Sequence, residues 1–257
     1  MYNKKKFKDE IYDQGYSLIE NALSTNYIVK AKIELEKAIE IENKYHRNNN
    51  HKDHGMVMLC SLYDKIFCSL FDNNLITDPF EHILGKGCIV YSYTSSSMPP
   101  KGTNYSNRIH VDCPRIIPNY ITNMGATILL DDFTEKNGAT WFMPGSQDMI
   151  NAPDENLFYK NSKRLIAEAG NVFFFNSRLW HAGGVNKTNN WRHALTVNVV
   201  RPWMKQRINI PKAMSDLDLA GITDKCKQKL GFYSQVPENY EEYYAPFEKR
   251  KFKQKTE

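Results

Sequence analysis

Three side chains in this sequence have the types and spacing to hold a metal ion. His110-Val111-Asp112 sets an imidazole and a carboxylate two residues apart. On a β-strand such residues lie on one face, so both can reach a single point. A further histidine, His181, lies downstream in Trp180-His181-Ala182-Gly183-Gly184, and Arg192 follows eleven residues after it. Two histidines and one carboxylate on one side of a metal leave the opposite side open, which is the donor set of non-haem Fe(II) oxygenases. A guanidinium grips a carboxylate through two parallel hydrogen bonds. Arg192 is therefore suited to holding an acidic cosubstrate beside such a metal.

Other candidates are weaker. The stretch His46 to His54 contains three histidines and Asp53 among asparagines. It reads as an exposed polar loop, because nothing pre-positions its imidazoles and a metal site needs fixed geometry. Cys113 follows Asp112 directly, so a strand would turn it to the opposite face as a small buried hydrophobe. His82 and His193 have no comparable partners and read as structural.

The elements that must position these groups fall into three blocks. From Ser24, a suitable N-cap, to about Tyr45, apolar residues recur at helical spacing (Ile28, Ala31, Leu35, Ala38, Ile39). A second helix is expected over Leu59 to Phe71 and a shorter one over Pro79 to Leu84, ended by Gly85 and Gly87. From Cys88 the pattern changes to short β-rich runs separated by turns: Cys88 to Thr94, Ile121 to Leu130, Ala139 to Met143, Asn171 to Phe175 and His193 to Val200. Such spacing predicts an antiparallel sandwich or barrel. Past Trp203 the chain returns to polar, helix-compatible residues. The expected organisation is one domain over 1–257: a helical flank (1–87), a β core (88–204) and a helical or irregular C-terminal flank (205–257).

Composition narrows the function classes. The chain has 257 residues and a formal charge of +5. Its first eight residues carry +4 and its last eleven +3, and taking both from +5 leaves −2 for the body. Basic residues gathered at the two ends argue against nucleic-acid binding, which needs a basic face on the fold. Five cysteines without CxxC spacing and no apparent signal peptide point to reduced thiols and a cytoplasmic protein. No apolar run is long enough to span a bilayer.

Taken in order, His110-Val111-Asp112, the segment LLDDFTEKNGAT (129–140), FMPGSQ (142–147), FFFNSRLWHAGG (173–184) and Arg192 resemble the phytanoyl-CoA dioxygenase family of Fe(II)- and 2-oxoglutarate-dependent oxygenases. The resemblance covers residues 88–204. It implies a double-stranded β-helix, a jelly-roll fold of the cupin type that is mainly β with flanking helices. It implies His110, Asp112 and His181 as iron ligands, Arg192 as the partner of the distal carboxylate of 2-oxoglutarate, and Thr127 as a second cosubstrate contact. Gly183 stands where some members carry a serine that touches that carboxylate, and PGSQ stands where PGSH is common and reads as a structural turn.

The implied reaction is hydroxylation of a small-molecule substrate, with desaturation and epimerisation left open, 2-oxoglutarate and O2 consumed and succinate and CO2 released. Three protein ligands leave three positions for a chelating cosubstrate and dioxygen. Related halogenases have a small residue at the carboxylate position, so Asp112 excludes chlorination. Arg115, Tyr91 and Tyr93 are candidate substrate contacts, and the stretch Gln147 to Lys163 is a candidate lid. The alternative is a catalytically silent cupin-like binding or regulatory module, which the full ligand set with Arg192 disfavours.

Overall fold

A five-stranded antiparallel sheet carries most of the structure, a computed structural model that describes residues 2–48 and 55–250. In chain order the elements are α1 (Lys4–Asp13), β1 (Tyr16–Ile19), α2 (Thr25–Asn48), α3 (Lys65–Ser69), α4 (Asn74–Leu84), β2 (Ile89–Ser95), β3 (Asn123–Leu129), β4 (Trp141–Phe142), α5 (Glu155–Asn161), β5 (Lys163–Arg164), β6 (Val172–Asn176), β7 (His181–Ala182), β8 (Ala194–Val200), α6 (Ile210–Ala213), α7 (Asp224–Lys229) and α8 (Tyr240–Tyr244). The major sheet has the order β1-β6-β3-β8-β2 and the minor sheet β5-β4-β7. The two form a double-stranded β-helix, a jelly-roll whose barrel is not closed.

Strand alternation divides the major sheet into two unlike faces. On β3, Met124, Ala126 and Ile128 face outward with Val172 and Phe174 of β6 and Leu195, Val197 and Val199 of β8. Helical residues cover this face, including Phe7 and Ile11 of α1, Leu35 of α2 and Phe80 of α4. Burying each large apolar side chain contributes roughly 1.5–3 kcal/mol. The opposite face presents Asn123, Thr127, Thr196 and Asn198 to a cavity. Between the sheets Phe142 of β4 packs on Phe173 of β6, with ring centroids 4.9 Å apart.

The helix expected from Ser24 is α2: the Ser24 hydroxyl accepts from the Tyr27 amide at 3.2 Å, and Ala31, Leu35, Ala38 and Ile39 are buried. The expected helix Leu59 to Phe71 is broken. Two 3-10 turns, Cys60–Leu62 and Leu70–Asp72, flank α3, where the Asp64 side chain accepts from the Ile66 amide and starts a new helix. The expected helix from Pro79 begins earlier, at Asn74, where the Asn73 side chain caps it. Residues 1–87 also hold a strand too short for its alternation to register in the sequence. β1 pairs antiparallel with β6, placing Tyr16 opposite Phe175 and Ile19 opposite Val172. Residues 49–54, with His51 and His54, lie outside the described residues. All five cysteines are buried and unpaired. Among the described residues no helix is long and apolar enough to cross a membrane.

Candidate metal centre

His181 sits between two neighbours on the minor sheet. It pairs with Phe142 of β4 on one side and with His110 on the other. The His110 and His181 amides each donate to the other's carbonyl at 3.0 Å, which sets their ring centroids 4.2 Å apart. The His110 Nε2 lies 3.6 Å and the His181 Nε2 3.8 Å from the Asp112 Oδ1. One ligand atom from each of the three residues falls within 4.8 Å of the others.

Asp112 reaches this point by a route the alternation argument did not foresee. Only His110 makes a β-bridge; Asp112 lies in a bend, and no strand runs through 108–120. Pro114 lacks an amide hydrogen and disfavours helical geometry at Cys113, so neither a ladder nor a helix can continue. Arg178 then pins the irregular chain. Its guanidinium donates to the Pro114 carbonyl at 3.2 Å, to the Gln147 carbonyl at 3.2 Å and to the Met149 carbonyl. Gln147 of the PGSQ turn is itself buried and donates to the Tyr12 carbonyl at 3.0 Å. Cys113 is buried, its sulfur 4.0 Å from the Thr122 hydroxyl.

The hydrogen bonds set the protonation this site needs. The His110 Nδ1 is 2.8 Å from the Arg108 carbonyl and the His181 Nδ1 2.9 Å from the Leu179 carbonyl. A carbonyl only accepts, so each Nδ1 carries a proton, and Nε2 is the nitrogen placed to face a metal. Burial pushes the Asp112 carboxyl up, but the His110 and His181 imidazoles and the Asn198 amide outweigh it and hold it below its ordinary value. Burial, with His110 beside it, lowers His181, and Asp112 and the Leu179 carbonyl offset this only in part. At neutral pH the set is an ionised carboxylate with a neutral His181, the states in which these groups bind metals.

Arg192 lines the same cavity and is 2% exposed. Its guanidinium donates to the Ser96 carbonyl at 2.8 Å and the Gly138 carbonyl at 3.4 Å, and lies 3.9 Å from the Phe133 ring centroid. Its Nε has no hydrogen-bond partner. Among the described residues no carboxylate is ion-paired with it, and burial pushes it down to about 9 against the longer-range pull of Asp131. A buried cation left without a counter-ion is costly unless an anion arrives.

The cavity of about 210 Å³ brings together His110, Asp112, His181, Arg192, Thr127 and Tyr91. Two expected substrate contacts lie elsewhere. Tyr93 is fully buried on the helix-facing side of β2, where its hydroxyl donates to the Phe67 carbonyl at 3.1 Å. A bulge between Val90 and Ser92 shifts the register, so Tyr91 and Tyr93 do not share a face. Arg115 is exposed and lines a separate hollow with Ile116, Ile117 and Tyr120. The expected lid is also displaced: no residue of 147–163 lines the cavity, and α5 anchors Phe158 against Trp180 and Ala182.

Sequence reasoning missed Asn198, Thr196 and Asn123, which line the cavity beside the metal-binding set. Their signal was available in β8, ALTVNVV, where polar Thr196 and Asn198 alternate with Leu195, Val197 and Val199. At Gly183 an added Cβ would meet the Ser106 Oγ at 2.5 Å and the Met98 Cε at 2.7 Å. Ser106 thus fills the space a longer residue 183 would need, and its carbonyl accepts from the Gly183 amide at 2.6 Å.

Comparison with known proteins bears on the family and the fold. The family model described as phytanoyl-CoA dioxygenase matches residues 11–194. Uncharacterized protein Rv1501 of Mycobacterium tuberculosis is 28% identical over 254 residues, covering 96% of this chain and 93% of that protein. The Fe(II)/2-oxoglutarate-dependent dioxygenase nvfF of Aspergillus novofumigatus is 34% identical over 137 residues, 50% of this chain and 41% of that one. Among solved structures, the non-heme alpha ketoglutarate dependent carbocyclase SnoK superposes with a TM-score of 0.63 at 17% identity, covering 84% of this chain and 92% of that one. The epimerase SnoN, in complex with Fe3+, alpha ketoglutarate and nogalamycin RO, gives a TM-score of 0.61 at 16% identity, over 86% and 91% of the two chains. At these identities the structural likenesses speak to the fold alone.

Proposed function

The chain belongs to the phytanoyl-CoA dioxygenase family, and on that premise we propose that it is an Fe(II)- and 2-oxoglutarate-dependent dioxygenase that hydroxylates a small-molecule metabolite. The observation that carries this reading is the buried, counter-ion-free guanidinium of Arg192 in the same cavity as the His110, Asp112 and His181 set. Either feature alone has structural explanations. Together they supply what a divalent metal and a dicarboxylate require.

In this reading His110, Asp112 and His181 hold the iron through Nε2, a carboxylate oxygen and Nε2. The Arg108 and Leu179 carbonyls keep both rings turned and in one tautomer, as outer partners do in metal sites. Arg192 pairs with the distal carboxylate of 2-oxoglutarate, and Thr127 lies along the same wall. Bound iron, 2-oxoglutarate and O2 together supply an oxidant able to break an unactivated C–H bond, with succinate and CO2 as co-products. The protein's share of the work is placement: His181 on β7 bridged to His110, Asp112 held by its loop, and a cavity walled by Thr127, Thr196 and Asn198. A filled carboxylate position at Asp112 favours hydroxylation over chlorination.

Anaerobic addition of Fe(II) and then 2-oxoglutarate tests the centre. A weak visible charge-transfer band that needs both additions is expected, as is succinate formation once O2 is admitted. A protein that binds iron but gives neither band nor succinate would be a silent binding module. Mass analysis of the co-formed product distinguishes a gain of one oxygen from epimerisation or ring closure.

A further inference from the structure

The cavity holds a second arginine that the metal and cosubstrate do not use. Arg207 lines it together with Tyr91. In contrast to Arg192 it is exposed, so it stands at the open end of the cavity while Arg192 stands at the buried end.

Arg207 is held there by construction. β2 is an edge strand, and its bulge falls at Tyr91. Bulges re-aim side chains and cluster beside active sites. The Arg207 amide donates to the Tyr91 carbonyl at 3.1 Å, and the neighbouring Gln206 side chain donates to the Val90 carbonyl at 2.7 Å and the Leu230 carbonyl at 3.1 Å. The backbone at 206–207 is thus laid along β2 at its bulge. Tyr91 and Arg207 are brought to one rim by the same irregularity. Among the described residues no carboxylate is ion-paired with the Arg207 guanidinium, and Asp112 is the one carboxylate lining the cavity.

Charge bookkeeping says what this cation awaits. The lining residues carry two arginines and one ionised carboxylate, a net of +1. Fe(II) and the 2-oxoglutarate dianion cancel each other. A loaded site therefore keeps one uncompensated positive charge, with its exposed member at the mouth. Met56, Met98, Tyr105 and Phe175 supply apolar or amphipathic wall within the cavity. Planar guanidinium donors suit an oxyanion, a carboxylate above all.

We infer that Arg207 binds an anionic group of the primary substrate, so that the substrate is a small acid held with its carboxylate at the rim by Tyr91 and its reacting carbon deeper, toward His110 and His181. This rests on the dioxygenase reading for which group lies deeper, but not for the anion contact itself.

A calorimetric panel tests it on the full chain. Aliphatic and arylalkanoic acids of graded length, each paired with its neutral primary amide, are titrated into wild-type protein and into Arg207→Ala and Arg207→Lys. Titrations are run on metal-free protein and again on protein loaded anaerobically with Fe(II) and 2-oxoglutarate. At least one acid is expected to bind tighter than its amide. Arg207→Ala should remove that preference, weakening the acid on the order of two- to fivefold, as befits a partly solvated ion pair. The amide's affinity should stay the same, and Arg207→Lys should recover part. Performing the metal-free titrations in Arg192→Ala as well separates the two arginines: an acid preference lost there but kept in Arg207→Ala would assign the anion to Arg192. That result, or a wild type that prefers no acid over its amide, overturns the proposal. Failure of Fe(II) and 2-oxoglutarate to load overturns the dioxygenase reading instead, and the metal-free arm still reports on Arg207.

Discussion

His110 and His181 are joined through their own backbones, each amide donating to the other's carbonyl at 3.0 Å. Residues 71 positions apart in sequence are thereby fixed as a cross-strand pair, and their rings are held by the two carbonyls behind them. Asp112 has no such support. It hangs from a bend that Arg178 pins at Pro114. The two histidines are the rigid half of the centre, and the carboxylate is positioned by the loop.

Asp112→Ala should therefore empty the metal site without unfolding the protein. It removes a carboxylate whose partners are two imidazoles and the Asn198 amide. Losing only an outer partner of a ligand costs roughly 10–100-fold in metal affinity, so losing the ligand should cost more than about a hundredfold. Metal titration should register this, while the thermal midpoint of metal-free protein moves by only a few degrees. Wild-type turnover in metal-stripped Asp112→Ala would sink the ligand assignment.

Arg192 gives two opposed signals. Arg192→Ala leaves the cosubstrate anion without a partner, and losing one side of a buried charge pair costs about 2–5 kcal/mol. That is roughly a thirty-fold to several-thousand-fold weakening of 2-oxoglutarate binding, with iron binding retained. Arg192→Lys should recover only part, because an ammonium cannot reproduce the two-pronged contact. Arg201 is no substitute, since its guanidinium is committed to the Ile121, Leu84 and Ile83 carbonyls. In protein without metal and cosubstrate the sign reverses: Arg192→Met, of similar length and uncharged, should melt no lower than wild type. A large drop in its midpoint would mean that the Ser96 and Gly138 contacts outweigh the cost of burying the charge.

The candidate centre was legible in the sequence because it is built from rare residue types in a fixed order. His110, Asp112, His181 and Arg192 are recognisable by what they can bind, whatever elements carry them. This is why they come together although the strand expected at 110–112 is a single bridge and a bend. The misplaced groups were read from local pattern alone. Tyr93 looked like a companion of Tyr91 until the bulge between Val90 and Ser92 shifted the register. β1 was hidden because four residues are too few for alternation to register, and its pairing partner β6 lies more than 150 residues away. The segment 147–163 resembled a lid only for want of a motif. Its Phe158 is an ordinary core anchor.

Gly183 offers a test of how this cavity departs from relatives with a longer side chain there. A Cβ at 183 would press on the Ser106 Oγ and the Met98 Cε. Overpacking of this kind typically costs about 1–3 kcal/mol. Gly183→Ala should lower the unfolding free energy within that range. Adding Ser106→Gly should return part of it, although the Ser106 backbone carbon, 3.3 Å from the new Cβ, keeps the recovery incomplete. Additive losses in the double variant would mean that Ser106 does not occupy the space.

The last prediction concerns His193, whose ring stacks on Trp191 with a centroid distance of 5.8 Å and whose Nδ1 meets the Ser97 hydroxyl at 2.9 Å. Burial pushes its pKa below the ordinary 6.5, helped by Lys32 and Arg192, while Asp131 and Glu36 pull the other way without prevailing. A depressed pKa means that the unfolded chain takes up a proton at a higher pH than the folded one. Stability from this residue is therefore complete above about pH 6.5 and is lost as pH falls from there through the folded value. His193→Gln keeps a polar group near Ser97 and removes the titration. Thermal midpoints of metal-free protein measured from pH 7.5 down to pH 5 should fall for both proteins, since carboxylates contribute as well, but less steeply for His193→Gln. Parallel curves would show that folded and unfolded chains take up the proton over the same pH range, with Glu36 and Asp131 stabilising the charged form enough to cancel the cost of burial.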